Sequence, residues 1–92
     1  MKMGAARVAR ILKTIGDPVR MDAVCFLMRR PDSCVSEVAH ALKRSVAITS
    51  HHLRELSRAG ILESVPVGKQ RCYRMSATPI VHELKTFICK YK

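Results

Sequence analysis

The sequence has no tryptophan, only two tyrosines and two phenylalanines, so a core of stacked rings is excluded and packing falls to aliphatic side chains, which supply most of the 48% apolar content. That balance favours helices. No apolar run approaches the roughly eighteen residues of a membrane span, and the opening Met1-Lys2-Met3-Gly4-Ala5-Ala6-Arg7 has no long apolar segment behind its charges. Neither a membrane partner nor a secretion leader is expected, and the expected setting is the cytoplasm. The four glycines, at 4, 16, 60 and 68, are scattered and form no phosphate-cradling loop. His82-Glu83-Leu84-Lys85-Thr86 begins like a zinc-protease H-E-x-x-H but ends on threonine, which removes the second ligand. Ninety-two residues leave room for a single domain, 1–92, and for little cleft. No enzyme is expected.

Acidic side chains are also scarce. Seven Asp and Glu against seventeen Lys and Arg leave a formal charge of +10, a field of one sign that points to an anionic partner. A chain this short buries only roughly 60–65% of its extended surface on folding, so a dimer sharing an interface is expected. The four cysteines, at 25, 34, 72 and 89, are separated by 9, 38 and 17 positions and match no disulfide scaffold. They read as reduced thiols, available for chemistry.

Val8, Ile11, Leu12 and Ile15 fall at i, i+3, i+4, i+7 and predict a first helix from Ala5 that stops at Gly16. Asp17-Pro18 is a helix start, and Met21–Met28 is apolar on nearly every side except Asp22, as suits a central helix. Arg29-Arg30-Pro31-Asp32 breaks it. Ser33 or Ser36 caps a third helix carrying Val35, Val38, Ala39 and Leu42, closed by Lys43-Arg44. Ser45 opens a fourth, with Thr49, Leu53 and Leu56 inward, and Gly60 ends it. The short turn between these two predicts a helix-turn-helix pair without the usual turn glycine. From Ile61 the period changes to two, giving a hairpin over Ile61–Val65 and Gln70–Met75 with Pro66-Val67-Gly68-Lys69 as its basic tip. Cys72, opposite to Tyr73 and Met75, is expected to be semi-exposed and incidental. Pro79 starts a last helix whose Ile80, Leu84, Phe87 and Tyr91, broadened by Val81 and Ile88, need a partner. The fold class is therefore mainly α with a small β-hairpin, a winged helix-turn-helix with a dimer built on the first and last helices.

Within that layout the residues resemble the ArsR/SmtB repressors. Leu12-Lys13-Thr14-Ile15-Gly16-Asp17-Pro18-Val19-Arg20 is similar to the family's L-K-x-L-x-D-P-T-R segment. Val35-Ser36-Glu37-Val38-Ala39 follows in register, then Ser50-His51-His52-Leu53-Arg54-Glu55-Leu56-Ser57-Arg58-Ala59-Gly60-Ile61-Leu62, similar to S-H-H-L-x-x-L-x-x-A-G-L-V. The resemblance covers residues 8–75 without a gap. It implies a homodimeric DNA-binding repressor that leaves its operator when a metal ion, metalloid or thiol-modifying signal alters the dimer. One departure touches the operator: where many members have a base-reading Gln, this chain has Val46.

If Thr49, Leu53 and Leu56 face inward, Ala47, Ser50, His51, Arg54 and Arg58 lie on or near the opposite face of the fourth helix and can meet a major groove. Arg54 can reach a guanine or a phosphate, Val46 or Ile48 a thymine methyl, and Ser45 a phosphate. Lys69, Arg71 and Arg74 on the hairpin suit the neighbouring backbone or minor groove. His51 and His52 look like a metal pair, but adjacent helical residues diverge by roughly 100°, so they cannot share one ion.

For the signal, the resemblance offers two sets of thiols. Where soft-metal and arsenite sensors have a Cys-Val-Cys-like segment, this chain has Cys34-Val35-Ser36; arsenite or another thiophilic ion would need more than this one sulfur. Other members link a cysteine at the position of Cys25 to one near the end of the last helix. Cys89 stands three residues early for that role, about 4.5 Å along the axis and roughly 60° around it. A dithiol or persulfide switch of Cys25 with Cys89 is thus the first expectation, and metalloid sensing through Cys34 the alternative. A winged helix without any ligand, serving as a general DNA-binding or protein-interaction module, is the third. The D-x-H and H-x-x-E pattern of zinc and cobalt sensors is missing, with only His82-Glu83 in its place. His82 and Cys89 stand two turns apart, too far to share an ion within one chain, although across a two-fold axis they could meet.

Overall fold

A computed structural model describes residues 4–92, so the first three residues of the opening stretch lie outside it. The chain runs α1 (Ala5–Ile15), α2 (Pro18–Arg29), β1 (Ser33–Cys34), α3 (Val35–Leu42), α4 (Val46–Arg58), β2 (Leu62–Val67), β3 (Gln70–Met75) and α5 (Pro79–Tyr91). The strands make an antiparallel sheet in the order β1-β3-β2. This is a winged helix-turn-helix. Among the described residues no helix is long and apolar enough to cross a membrane.

The helix boundaries follow local chemistry. Gly16 ends α1 in a right-handed conformation, and what it supplies is space: a Cβ there would lie 3.0 Å from the Leu12 carbonyl oxygen. Asp17 caps α2, its Oδ2 accepting the Arg20 backbone N–H at 3.0 Å, with Pro18 in the first turn, where its missing N–H costs nothing. Ser45 caps α4 by accepting the Ile48 N–H at 3.1 Å. In the turn between α3 and α4, Lys43 takes the left-handed conformation that a glycine usually fills, at φ 55°, which costs an L-residue roughly 1–2 kcal/mol. It closes α3 through the Arg44 N–H, which donates to the Ala39 carbonyl at 3.0 Å.

Two local expectations are corrected at the start of α3. Neither Ser33 nor Ser36 caps it: Cys34 stands at the N-cap, and its N–H donates to Glu37 Oε1 at 2.9 Å. Ser33 and Cys34 are drawn into a third strand, pairing with Tyr73 and Cys72 of β3. Two residues carry no period, so no alternation marked this strand. The hairpin forms, but its tip is tighter than expected: Pro66 and Val67 continue the strand, Val67 stands opposite Gln70, and Gly68-Lys69 alone make the turn. Pro66, which cannot donate to a ladder, sits in the edge strand β2.

The core is aliphatic around one tyrosine. Val24 and Leu27 of α2, Leu53 and Leu56 of α4, Ile61 and Tyr73 meet Ile11 and Ile15 of α1 and Ile88 of α5. The central place expected for α2 is seen in its fully buried Ala23, Val24 and Leu27. The apolar stripes of the two terminal helices are split between inside and outside. Leu12 of α1 turns outward, and on α5 Val81 and Ile88 go into the core while Phe87 and Tyr91 stay 61% and 67% exposed.

Candidate nucleic-acid interface

Burial of Thr49, Leu53 and Leu56 turns the other side of α4 to solvent. Ser45, Val46, Ala47, Ile48, His51 and Arg54 are exposed there, and Ser50 is half-buried. Val46 and Ile48 are large apolar side chains left open at the N-terminal end of this helix, as contact with thymine methyl groups would require. The Arg54 guanidinium donates to Ser50 Oγ at 2.6 Å, which holds it along the helix face. Arg58, expected beside it, is exposed but paired with Glu55 Oε1 at 2.8 Å.

The wing residues divide. Lys69 and Arg71 are exposed at and beside the tip. Arg74 is exposed as well, yet its Nε lies 2.8 Å from Glu63 Oε1 and one terminal nitrogen 3.6 Å from Asp32 Oδ1. Two carboxylates thus offset its charge within the chain. The cross-strand pairing of Glu63 with Arg74 is a matter of register, which the hairpin alone left unassigned.

His51 and His52 diverge as helical geometry requires, their rings 5.7 Å apart and tilted by 57°. His51 is open to solvent, whereas His52 turns back towards α2, its Nδ1 3.4 Å from the Arg20 guanidinium. Arg20 also donates through Nε to the Thr14 carbonyl at 2.6 Å. One arginine of α2 therefore joins the last turn of α1 to α4, a positioning role that the sequence reading missed. Its signal was the segment ending in Asp17-Pro18-Val19-Arg20. Burial pushes the His52 imidazole below its ordinary pKa, against the pull of the nearby Asp17 carboxylate. Asp17 is itself held below the usual carboxylate range, first by the Arg20 N–H it accepts.

The cysteines correct the expectation of four reduced thiols. Cys34 and Cys72 are joined by a disulfide, their α-carbons 3.7 Å apart. Cys72 is not semi-exposed but 1% exposed, because β1 and α3 cover the side of β3 that a free hairpin would show to water. Cys25 and Cys89 are free, the first half-buried in α2 and the second exposed on α5. While the bond stands, Cys34 is no ligand for a thiophilic ion. Among the described residues no three His, Cys, Asp or Glu side chains come together as a metal site, and His82 and Cys89 are both exposed.

The comparisons with known proteins agree with this geometry. Residues 17–64 match the family described as bacterial regulatory protein, arsR family. The cadmium resistance transcriptional regulatory protein CadC of Listeria innocua is 36% identical over 67% of this chain and 52% of its own length, so the chain spans about half of that relative. The biofilm growth-associated repressor of Xylella fastidiosa is 34% identical over 97% of this chain and 80% of its own length. Among solved structures, HlyU from Vibrio cholerae superposes with a TM-score of 0.83 at 23% identity, over 99% of this chain and 98% of that one. On the match that runs from the cap of α2 into β2, the chain belongs to the ArsR family of bacterial regulatory proteins.

Proposed function

We propose that the chain acts as a homodimeric, DNA-binding transcriptional repressor of the cytoplasm, a single domain over residues 1–92 whose operator affinity falls when Cys25 and Cys89 react. The observation that carries this reading is the exposed face of α4, from Ser45 to Arg54, flanked by the unpaired wing cations Lys69 and Arg71. Side chains of this kind divide into base readers, here Ser50, His51 and Arg54 with Val46, Ala47 and Ile48, and phosphate contacts, here Ser45, Lys69 and Arg71. Arg74 joins the latter only by exchanging its carboxylate partners for a phosphate. Dimerisation through α1 and α5 suits the open Leu12, Phe87 and Tyr91, and it would set the two recognition helices at the spacing of successive major grooves.

Cys25 and Cys89 are the thiols assigned to release. Both are free, and the exposure of Cys89 lets a small reagent reach it. A differential affinity of about 1–3 kcal/mol between the two states weakens DNA binding roughly 5–150-fold. The names of the relatives, cadmium and arsenic resistance regulators, favour a second reading in which a soft ion is held through Cys34, which requires the reduced chain.

The test is fluorescence anisotropy of reduced protein on DNA from upstream of its own gene, at fixed salt with competitor, repeated after polysulfide and after arsenite. Specific binding lost to polysulfide, and kept by Cys25→Ser, supports release through Cys25 and Cys89. Loss to arsenite alone moves the assignment to Cys34. Binding that competitor DNA removes entirely overturns the repressor reading in favour of a general DNA-binding module.

A further inference from the structure

The bond between Cys34 and Cys72 ties the start of the helix-turn-helix to the wing, in addition to the backbone that runs from α4 into β2, and it lies outside the α2–α5 thiol pair assigned above. We propose that it is a redox-reversible staple, closed by a hydroperoxide and opened by a dithiol, that fixes the wing to the start of α3. Three observations carry this. The two residues are direct partners in the antiparallel register of β1 and β3, so the backbone holds them side by side whether or not the sulfurs are bonded. Their surroundings differ: Cys72 is buried, whereas Cys34 is half-exposed and reachable by a small reagent. The remaining tie is thin, because β1 is two residues long and its ladder with β3 holds two pairs.

The ring closed by the bond spans a sequence separation of 38 and contains α3, α4, β2 and the hairpin tip. Every DNA-facing residue from Ser45 to Arg71 lies inside it. In the closing reaction the Cys34 thiolate attacks the terminal peroxide oxygen, the O–O bond breaks, and an alcohol leaves after taking a proton. Cys72 then attacks the resulting sulfenic sulfur, forms the S–S bond and releases water, so two thiols give two electrons and two protons to one hydroperoxide. A bond of this kind in a protein that works on DNA is a transient, signalling one; that step, and the effect on DNA, rest on the repressor reading. The closed chain already has the winged-helix arrangement, so closure presents Lys69 and Arg71 in place and removes part of the ordering cost of binding.

The experiment uses the full chain carrying Cys25→Ser and Cys89→Ser, which leaves only the pair in question. After full reduction two thiols per chain titrate. Treatment with tert-butyl hydroperoxide is expected to leave none, to give an unreduced peptide map with Cys34 joined to Cys72 of the same chain, and to reverse with dithiothreitol. Closing a loop of this length is expected to raise the melting temperature by roughly 15–30 °C and to slow amide exchange in β1 and β3. A further Cys34→Ala change abolishes both effects. Surviving thiols, links only between chains, or closure with unchanged melting and exchange overturn the staple. Specific DNA binding at least threefold tighter in the closed form supports the coupling to DNA, and equal or weaker binding overturns it. If neither form binds DNA specifically while the bond closes and reopens as described, the repressor reading falls and the staple stands.

Discussion

Truncating Phe87 to alanine should take the dimer apart while leaving the fold of each chain intact. The ring is 61% exposed and Tyr91 67% exposed, with their centroids 5.0 Å apart. Taking about 200 Å² for a fully exposed aromatic side chain, the two present roughly 250 Å² per chain, or about 500 Å² across a two-fold axis. At about 25 cal/mol per Å² that area is worth roughly 12 kcal/mol gross, of the same order as the 4–15 kcal/mol that association costs. Phe87→Ala removes about 100 Å² per chain and 200 Å² per dimer, hence about 5 kcal/mol, which is three to four orders of magnitude in dimer Kd. Sedimentation velocity over a series of concentrations gives both constants, with far-UV circular dichroism confirming the fold. A wild-type chain that stays monomeric at about 100 μM, or a variant whose Kd lies within tenfold of it, refutes the assignment of this face.

The other predictions concern single side chains. Thr49 Oγ1 is buried with no hydrogen-bond partner, so Thr49→Val should stabilise the fold by about 1 kcal/mol; a lower denaturation midpoint would show that the hydroxyl has a partner. Arg54→Ala should weaken specific binding by about 1–3 kcal/mol and relax base preference, whereas Lys69→Ala should weaken binding evenly across sequences and reduce the salt slope by about one. The reverse pattern in a titration series over salt would exchange their roles. Because burial lowers the His52 pKa below 6.5, the unfolded chain binds more protons than the native one below that value. The stability contributed by neutral His52 is therefore complete above the unfolded pKa and lost as pH falls through 6.5 towards the folded value. His52→Gln should flatten this part of the stability profile between about pH 5 and 7, and an unchanged slope in urea titrations would assign it to another group.

The sequence by itself determined the order of the five helices and the hairpin, most helix ends, the outward face of α4 and the sign of the chain's own charge. Each of these rests on short-range chemistry. Asp17 and Ser45 satisfy N–H groups three residues away, the burial of Thr49, Leu53 and Leu56 follows a helical period, and net charge is a sum that needs no geometry. What only the tertiary structure decided involves residues brought together from distant parts of the chain. Ser33 and Cys34 become a strand because β3, some forty positions on, supplies its partner. That pairing buries Cys72 and joins it to Cys34, and it leaves Cys25 and Cys89 as the free thiols. Arg74 carries a charge that any reading of composition counts towards DNA, yet Glu63 and Asp32 converge on it from β2 and the turn before β1. On α5 several apolar stripes were available, and contact with the core chose Val81 and Ile88 and left Phe87 and Tyr91 outside. A helix or a cap closes its hydrogen bonds within a few residues, so sequence suffices to place it; a cross-strand bond, an ion pair or a buried face depends on which distant segment packs against it, and only the folded chain settles that.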